Sequence, residues 1–386
     1  MTNLSALMTT PITPDLLFGA LEIEATEAGF LLHRLPARAR AQNDDPMLSM
    51  AEIQPSGVRL AFRTIATEIE LETLPTKRAY LGMPQRPDGV YDLCINGQLV
   101  QQERAPGGRI LRLDMASGSA ELEPGETQVV RFAGLAGVEK LVEIWLPHDE
   151  ATELIALRSD APLVPLARGE RPVWLHHGSS ISQGSNAASP TGIWPVVAAR
   201  LAGVELVNLG FSGSALLDPF VARTIRDSEA DMISLKIGIN LVNTDLMRLR
   251  AFGPAIHGFL DTVREGHPET PLFVVSPVFC PIHETAPGPS QLDLVALKQG
   301  RALFRAADAV GGDIRGRLTL SLIREQLRAI VGKRAERDHN IHYLDGTALY
   351  GEADNARLPL PDELHPDAET HLMMGERFAE LVLKRG

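Results

Sequence analysis

The chain has 386 residues, long enough for two domains with full cores. Its hydrophobic content of 44% and charged content of 22% are those of a soluble globular protein, and a net charge of −12 argues against nucleic acid as a partner, which needs clustered Lys and Arg. The two cysteines, Cys94 and Cys280, stand far apart and give neither a disulfide framework nor a metal spacing.

Both cysteines are therefore expected as packed, reduced thiols. Residues 1–15 show no basic segment followed by an apolar one, so no signal peptide is expected. No apolar run reaches about 18 residues, so no membrane span is expected. The cytoplasm is the expected location.

From about residue 16 to 160 the sequence reads as β. Thr67-Glu-Ile-Glu-Leu-Glu72 alternates strictly, the pattern of a strand with one wet face. Runs at 58–63, 90–95, 109–114, 127–132 and 140–146 are similar, with turn signals between them at 87–89, 96–97, 106–108 and 124–125. Asn96-Gly97 between apolar runs predicts a type I′ hairpin. Many short strands at this spacing predict an antiparallel β-sandwich or jelly roll over residues 1–165. No constellation that carries chemistry is visible there. Residues 159–172 read as a linker.

Over residues 166–386 the periodicity changes. Strand-like runs at 173–177, 204–208, 232–237, 272–277 and 341–344 alternate with helical runs at 194–201, 219–227, 244–265, 318–337 and 368–384. Such alternation predicts a three-layer α/β domain, a parallel sheet with helices on both faces. Ligands in such sheets bind beyond the carboxyl ends of the strands. The segment 280–315 resists the scheme: Pro281, Pro287-Gly-Pro289 and Gly311-Gly312 surround a helical piece at 292–307. An insertion of this size after a strand is a candidate lid or substrate wall, or a structural excursion.

The stretch Val-Trp-Leu-His-His-Gly-Ser-Ser-Ile-Ser-Gln-Gly, residues 173–184, runs from a buried strand into a glycine–serine turn. A serine just past a strand end, followed by helix N–H groups, is a place to mount a nucleophile. Such a turn is more often a plain loop or a phosphate cradle than a catalytic elbow. The phosphate motifs fit poorly, since no Lys-Ser or Lys-Thr pair follows the second glycine and the three-glycine dinucleotide spacing is missing. Nor is this the Gly-x-Ser-x-Gly elbow, because position 182 is Ser. Ser179, Ser180 and Ser182 are rival nucleophiles at this point.

Three distant segments supply partners: Asn208-Leu-Gly-Phe-Ser-Gly213, Gly238-Ile-Asn240, and Asp362-Glu-Leu-His365. In order and placement the four blocks resemble the SGNH (GDSL) hydrolase superfamily, over roughly residues 173–383. The resemblance implies a flavodoxin-like catalytic domain with Ser180 as nucleophile, His365 as base and Asp362 orienting the imidazole. It also implies an oxyanion hole from the N–H of Ser180, the N–H of Gly213 and the side-chain amide of Asn240. Each role has a physical reason. A serine hydroxyl needs a neighbouring base, and a developing oxyanion needs donors already aimed at it. Asp362 and His365, three apart, fit on one face of a turn, and glycine at 213 lets an N–H approach without a Cβ in the way.

The register of the superfamily puts Ser179 beside the site and leaves Ser182 to cap the helix. Asp362 is also a plausible helix cap, His176 and His177 read as structural, and Gly210 reads as a turn glycine. The remaining histidines show no ligand spacing, so neither metal nor cofactor is expected. Two positions depart from the superfamily pattern: Ser179 and Leu241 stand where it usually has Asp. In the front half, Gly89-Val-Tyr-Asp-Leu-Cys94 resembles, loosely, the Gly-x-Asp-Leu-Tyr signature of β-domains that precede some SGNH enzymes. Such two-domain proteins include carbohydrate esterases and natural-product acyltransferases.

The leading expectation is a serine-dependent ester hydrolase acting on a small ester, with acylated sugars among the candidates. An acyltransferase that delivers the acyl group to a hydroxyl of a sugar or natural product is the alternative. A glycan-binding protein with an inactive esterase domain is the third reading, prompted by the two departures. Expected partners are small molecules.

Overall fold

The alternation read at Thr67–Glu72 opens a long strand, Glu68–Tyr80, with Ile69 and Leu71 buried. Its wet face carries Glu68, Glu70 and Glu72, which pair across neighbouring strands with Arg131 and Arg158. Opposite charges on adjacent strands support register without entering the core. The computed structural model describes residues 7–83, 85–114, 117–307 and 315–384. Gly311 and Gly312 lie outside the described residues.

The chain divides into two units. The first comprises residues up to Arg34, Glu52–Arg171 and Ser189–Thr191. Its larger sheet has eight strands, in the order Ala120–Glu123, Arg109–Leu113, Glu68–Tyr80, Ala151–Ser159, Phe30–His33 and Glu22–Ala25, with Met8–Thr10 and Gln128–Ala133 pairing off this path. A six-stranded sheet runs Val164–Pro165, Arg59–Thr64, Lys140–Trp145, Val90–Ile95 and Gln98–Arg104, with Leu17–Phe18 pairing beside Arg59–Thr64. Ile69, Leu71, Phe132 and Leu157 of one sheet and Phe62, Leu93, Val142 and Ile144 of the other share one core, the construction of a sandwich. All pairs are antiparallel except Glu68–Tyr80 with Arg109–Leu113. Asn96 (φ 50°) and Gly97 (φ 77°) join Val90–Ile95 to Gln98–Arg104, the positive-φ pair a type I′ turn demands. Val164–Pro165 pairs with Arg63 and Phe62, so part of the expected linker is sheet.

Asp92, fully buried, explains why Ser189–Thr191 sits in this unit. Its carboxylate accepts from Gln102 Nε2 at 2.7 Å, Ser189 Oγ at 2.6 Å, Thr191 Oγ1 at 2.6 Å and the Thr191 N–H at 2.9 Å. Four donors offset the cost of burying the charge.

The second unit comprises Leu35–Ala51, Pro172–Ala188 and Gly192–Gly386. Its parallel sheet is ordered Glu205–Gly210, Val173–Gly178, Met232–Lys236, Leu272–Val275, Ile341–Leu344. In sequence terms this is second, first, third, fourth, fifth, the flavodoxin-like order. Side chains of the first strand alternate between two helical layers. Trp174 stacks on Phe378 at 4.9 Å and His176 meets Trp194 at 4.7 Å, from the helices Ala368–Phe378 and Trp194–Ala202. His177 stacks on Phe259 of Leu249–Gly266 at 6.0 Å on the other face. The strand order reverses beside the first strand, which opens a crevice beyond its carboxyl end.

Three local expectations are corrected. The helix expected over 244–265 begins only at Leu249, as Leu249–Gly266, after Asp245 takes φ +50°, and a separate short helix, Ile239–Asn243, precedes it. The helical piece expected over 292–307 is a hairpin, Ser290–Leu292 with Phe304–Ala306, around the short helix Leu294–Lys298. The stretch read as wholly β holds two short helices, Ala37–Arg40 and Pro46–Glu52. Arg38 pairs with Asp227 at 2.9 Å, and Asp45 Oδ2 accepts from Ser214 Oγ at 3.3 Å, which fixes this excursion in the second unit. No helix among the described residues is long and apolar enough to cross a membrane.

Candidate active site

The first strand ends at Gly178. A Cβ there would stand 2.3 Å from Ser182 Oγ, so only glycine fits. Ser179 is extended and caps the single helical turn Ser180–Gln183, its Oγ accepting the Ile181 N–H at 3.4 Å. The turn stops at Gly184, φ +112°, a conformation that favours glycine. Ser182, expected as the cap, instead meets His176 Nε2 at 2.8 Å. His176 Nδ1 meets Ser234 Oγ at 2.7 Å, and Ser234 Oγ accepts the Trp174 indole N–H at 2.8 Å. Burial holds His176 well below its usual range and His177 at about 4. Both are neutral, hydrogen-bonded core groups; His177 Nδ1 bonds the Leu209 carbonyl at 2.8 Å.

Of the three serines, Ser180 alone faces the distant histidine: its Oγ lies 2.9 Å from His365 Nε2. His365 Nδ1 lies 2.8 Å from Asp362 Oδ2. Asp362 Oδ1 accepts the N–H groups of Leu364 at 3.0 Å and His365 at 2.7 Å. The carboxylate thus makes a side-chain turn where one helical turn was expected. The following helix is capped by Asp367, which accepts from Thr370 N. Asp362 therefore has no capping duty. Burial alone would raise its carboxyl. The His365 ring and the two backbone N–H groups outweigh that and hold it below the ordinary carboxylate value.

The other two blocks are tied to the elbow. The Phe211 N–H donates to Gly178 O at 2.8 Å, the Ser212 N–H to Gln183 Oε1 at 2.8 Å, and Asn208 Nδ2 to Ser182 O at 3.0 Å. Gly210 is the last residue of its strand rather than a turn residue; a Cβ on it would stand 2.6 Å from Gln183 N. Gly213 has φ +77°, and a Cβ would find nothing nearer than Met47 at 3.9 Å. Backbone conformation, not crowding, requires glycine there. Asn240 Oδ1 accepts the Ala215 N–H at 3.1 Å. That bond orients the amide and leaves Nδ2 as a donor without an acceptor among the described residues. Leu241, the second departure, is a buried core residue.

Sequence reasoning missed two contacts. Phe304, on the hairpin of the 280–315 insertion, sets its ring edge-to-face on His365 at 5.8 Å, and its N–H donates to Asp362 O at 3.0 Å. Asn186 Nδ2 donates to Asp362 Oδ2 at 3.3 Å. Both are long-range pairings with no periodic signal. Chemically, the arrangement places a hydroxyl, an imidazole and an ionised carboxylate in a line, with glycine and amide donors on the adjoining strand ends.

Residues 170–281 match the family model of the GDSL-like lipase/acylhydrolase family. That stretch holds Ser180, Gly213 and Asn240, and the match is to the family that the four blocks resemble. The fold of this chain is similar to that of the salicylyl-acyltransferase SsfX3 of a tetracycline biosynthetic pathway, with a TM-score of 0.78 and 27% identity over 96% of this chain and 95% of that one. A GDSL-like lipase structure from Bacteroides ovatus shares the fold at TM-score 0.70 and 19% identity, over 98% of both chains. A family two carbohydrate esterase from Clostridium thermocellum, solved with cellohexaose, does so at 0.56 and 13%, over 86% of this chain and 93% of that one. No curated protein matches the sequence.

Proposed function

We propose that Ser180, His365 and Asp362 form a relay that takes an acyl group from a small ester and passes it to water through an acyl-enzyme. The observation that carries the reading is the pair of hydrogen bonds on either side of the imidazole, 2.9 Å to Ser180 Oγ and 2.8 Å to Asp362 Oδ2. Nε2 takes the Ser180 proton as Oγ adds to the ester carbonyl. The Asp362 carboxylate stabilises the imidazolium that results. Charge on the former carbonyl oxygen falls to the N–H of Ser180, the N–H of Gly213 and Nδ2 of Asn240. The imidazolium then protonates the leaving alkoxide, the C–O bond breaks, and Ser180 is acylated. Water gives its proton to His365, adds to the acyl carbon and releases the acid.

A second reading replaces water with an acceptor hydroxyl, which makes the protein an acyltransferase. Likeness to the salicylyl-acyltransferase over nearly the whole chain favours it. Both readings are tested together. A fluorophosphonate probe is expected to label the protein, and Ser180→Ala to abolish both labelling and p-nitrophenyl ester turnover. Undiminished turnover in Ser180→Ala would overturn both. Product ratios with candidate sugar and aryl alcohols present then separate the two, since a pure hydrolase makes the same acid at the same rate whatever alcohol is added.

A further inference from the structure

The segment 280–315 is tied to the site at three points. The Cys280 thiol donates to Glu363 O at 3.4 Å. Ser290 Oγ lies 3.1 Å from Asn243 Oδ1 and 2.6 Å from Nε2 of the fully buried His283. Asn243 ends the short helix that carries Asn240. The Phe304 N–H donates to Asp362 O at 3.0 Å. The hairpin therefore joins the helix of a proposed oxyanion donor to the loop that holds Asp362 and His365. A flap would break these bonds in every cycle of opening, whereas a fixed wall keeps them.

Strand pairing sets which side chains this wall presents. Ser290 opposes Ala306 and Leu292 opposes Phe304, so these four share one face of the hairpin, and Gln291 and Arg305 take the other. Ser290 meets Asn243 and Phe304 meets His365, which makes theirs the inner face. It carries two half-buried apolar groups, the Leu292 side chain and the Phe304 ring. The alcohol oxygen of an ester must come within about 3 Å of His365 Nε2, because that nitrogen delivers its proton. The Phe304 ring centre is 5.8 Å from the imidazole centre. The first few atoms bonded to that oxygen thus come within contact range of the phenyl ring, which packs well edge-to-face or offset against another ring.

We infer that Phe304, with Leu292 beside it, forms the alcohol subsite and selects alcohols bearing an aryl ring over small aliphatic ones. The assignment rests on the acyl-enzyme reading above. An incoming acceptor alcohol is selected in the same way, because the same nitrogen takes its proton. The test is a crossed panel of kcat/KM values on the full chain. Benzyl acetate against ethyl acetate varies the alcohol; ethyl butanoate against ethyl acetate varies the acyl group. Wild type is expected to prefer the benzyl ester by about 10-fold or more, the range of one aromatic contact plus the ring area it buries. Phe304→Ala is expected to cut that preference by about 10-fold and Phe304→Tyr to keep most of it. The butanoate-to-acetate ratio is expected to stay within about twofold in both variants. Should Phe304→Ala unfold by circular dichroism, Phe304→Leu, which keeps the apolar bulk and removes the ring, decides by the same ratios. No benzyl preference in wild type, a fall of less than about threefold in the variant, or an equal fall in the butanoate ratio overturns the assignment. If the fluorophosphonate probe still labels Ser180 in that case, the acyl-enzyme reading stands and only the subsite is lost. A wild-type protein that is neither labelled nor active on any of these esters overturns both.

Discussion

Asp362→Asn separates the charge of this residue from its architecture. The asparagine keeps Oδ1, which accepts the Leu364 and His365 N–H groups at 3.0 and 2.7 Å, so the turn survives. What changes is the atom facing His365 Nδ1 at 2.8 Å: an acceptor oxygen becomes an NH₂ donor. Nδ1 must then be bare and the proton must sit on Nε2. That nitrogen lies 2.9 Å from Ser180 Oγ, and in this tautomer it donates to the hydroxyl when it should accept from it. The imidazolium also loses its counter-charge. Wrong-tautomer variants of serine triads lose about 10⁴ in kcat, about 5.4 kcal/mol of barrier at about 1.36 kcal/mol per decade. Initial rates on p-nitrophenyl esters, with circular dichroism to verify folding, give the number. KM is expected to change little, because the relay acts on the transition state. A folded Asp362→Asn enzyme with kcat within about tenfold of wild type would refute the reasoning.

Asn240→Ala removes one proposed oxyanion donor and is expected to lower kcat by about 10²–10³ with little effect on KM, read in the same assay. Gly238→Ala puts a Cβ 2.7 Å from Pro277 and 2.9 Å from Ile323 at φ +134°. A loss of roughly 2–4 kcal/mol is expected from the urea midpoint. Glu150→Gln tests a carboxyl raised by burial. Its folded-state value of about 7 lies above the ordinary 4.5, so between those two pH values the unfolded chain releases a proton that the folded chain keeps. Wild-type stability contributed by this group falls as pH rises through that window. The variant is expected to be more stable than wild type by up to roughly 3 kcal/mol above pH 7, the difference vanishing below about pH 4.5.

Much of the scaffold was legible because it obeys local periodicity. The strands Val90–Ile95 and Ile341–Leu344 and the helix Pro219–Asp227 fall at the expected bounds. Asn96-Gly97 carries its turn chemistry in two residues. The order of the parallel sheet followed from the resemblance, and the four blocks lie at strand ends as α/β topology demands. Other features depend on partners far away in sequence. Ala37–Arg40 is a single turn, too short to persist without tertiary contacts, and its contact with Asp227 is invisible to any window of sequence. The hairpin at 290–306 has three-residue strands, below the length at which alternation registers. Asp362 and His365, three apart, read as neighbours on one face of a turn, and the same spacing suits a carboxylate gripping its own backbone. Which of Ser179, Ser180 and Ser182 faces His365 was beyond local rules, because a one-turn helix sends consecutive side chains in different directions.

The placement of Leu35–Ala51 bears on how such proteins can be taken apart. A polypeptide started at residue 166 would keep Ser180, Asp362 and His365. It would leave Ser214 without Asp45, Asp227 without Arg38, and the flank of Gly213 without Met47. The half that bears the nucleophile is thus stitched from non-adjacent lengths of chain, one of them borrowed from inside the β-rich half. A cut at the midpoint would therefore take with it part of the wall beside Gly213.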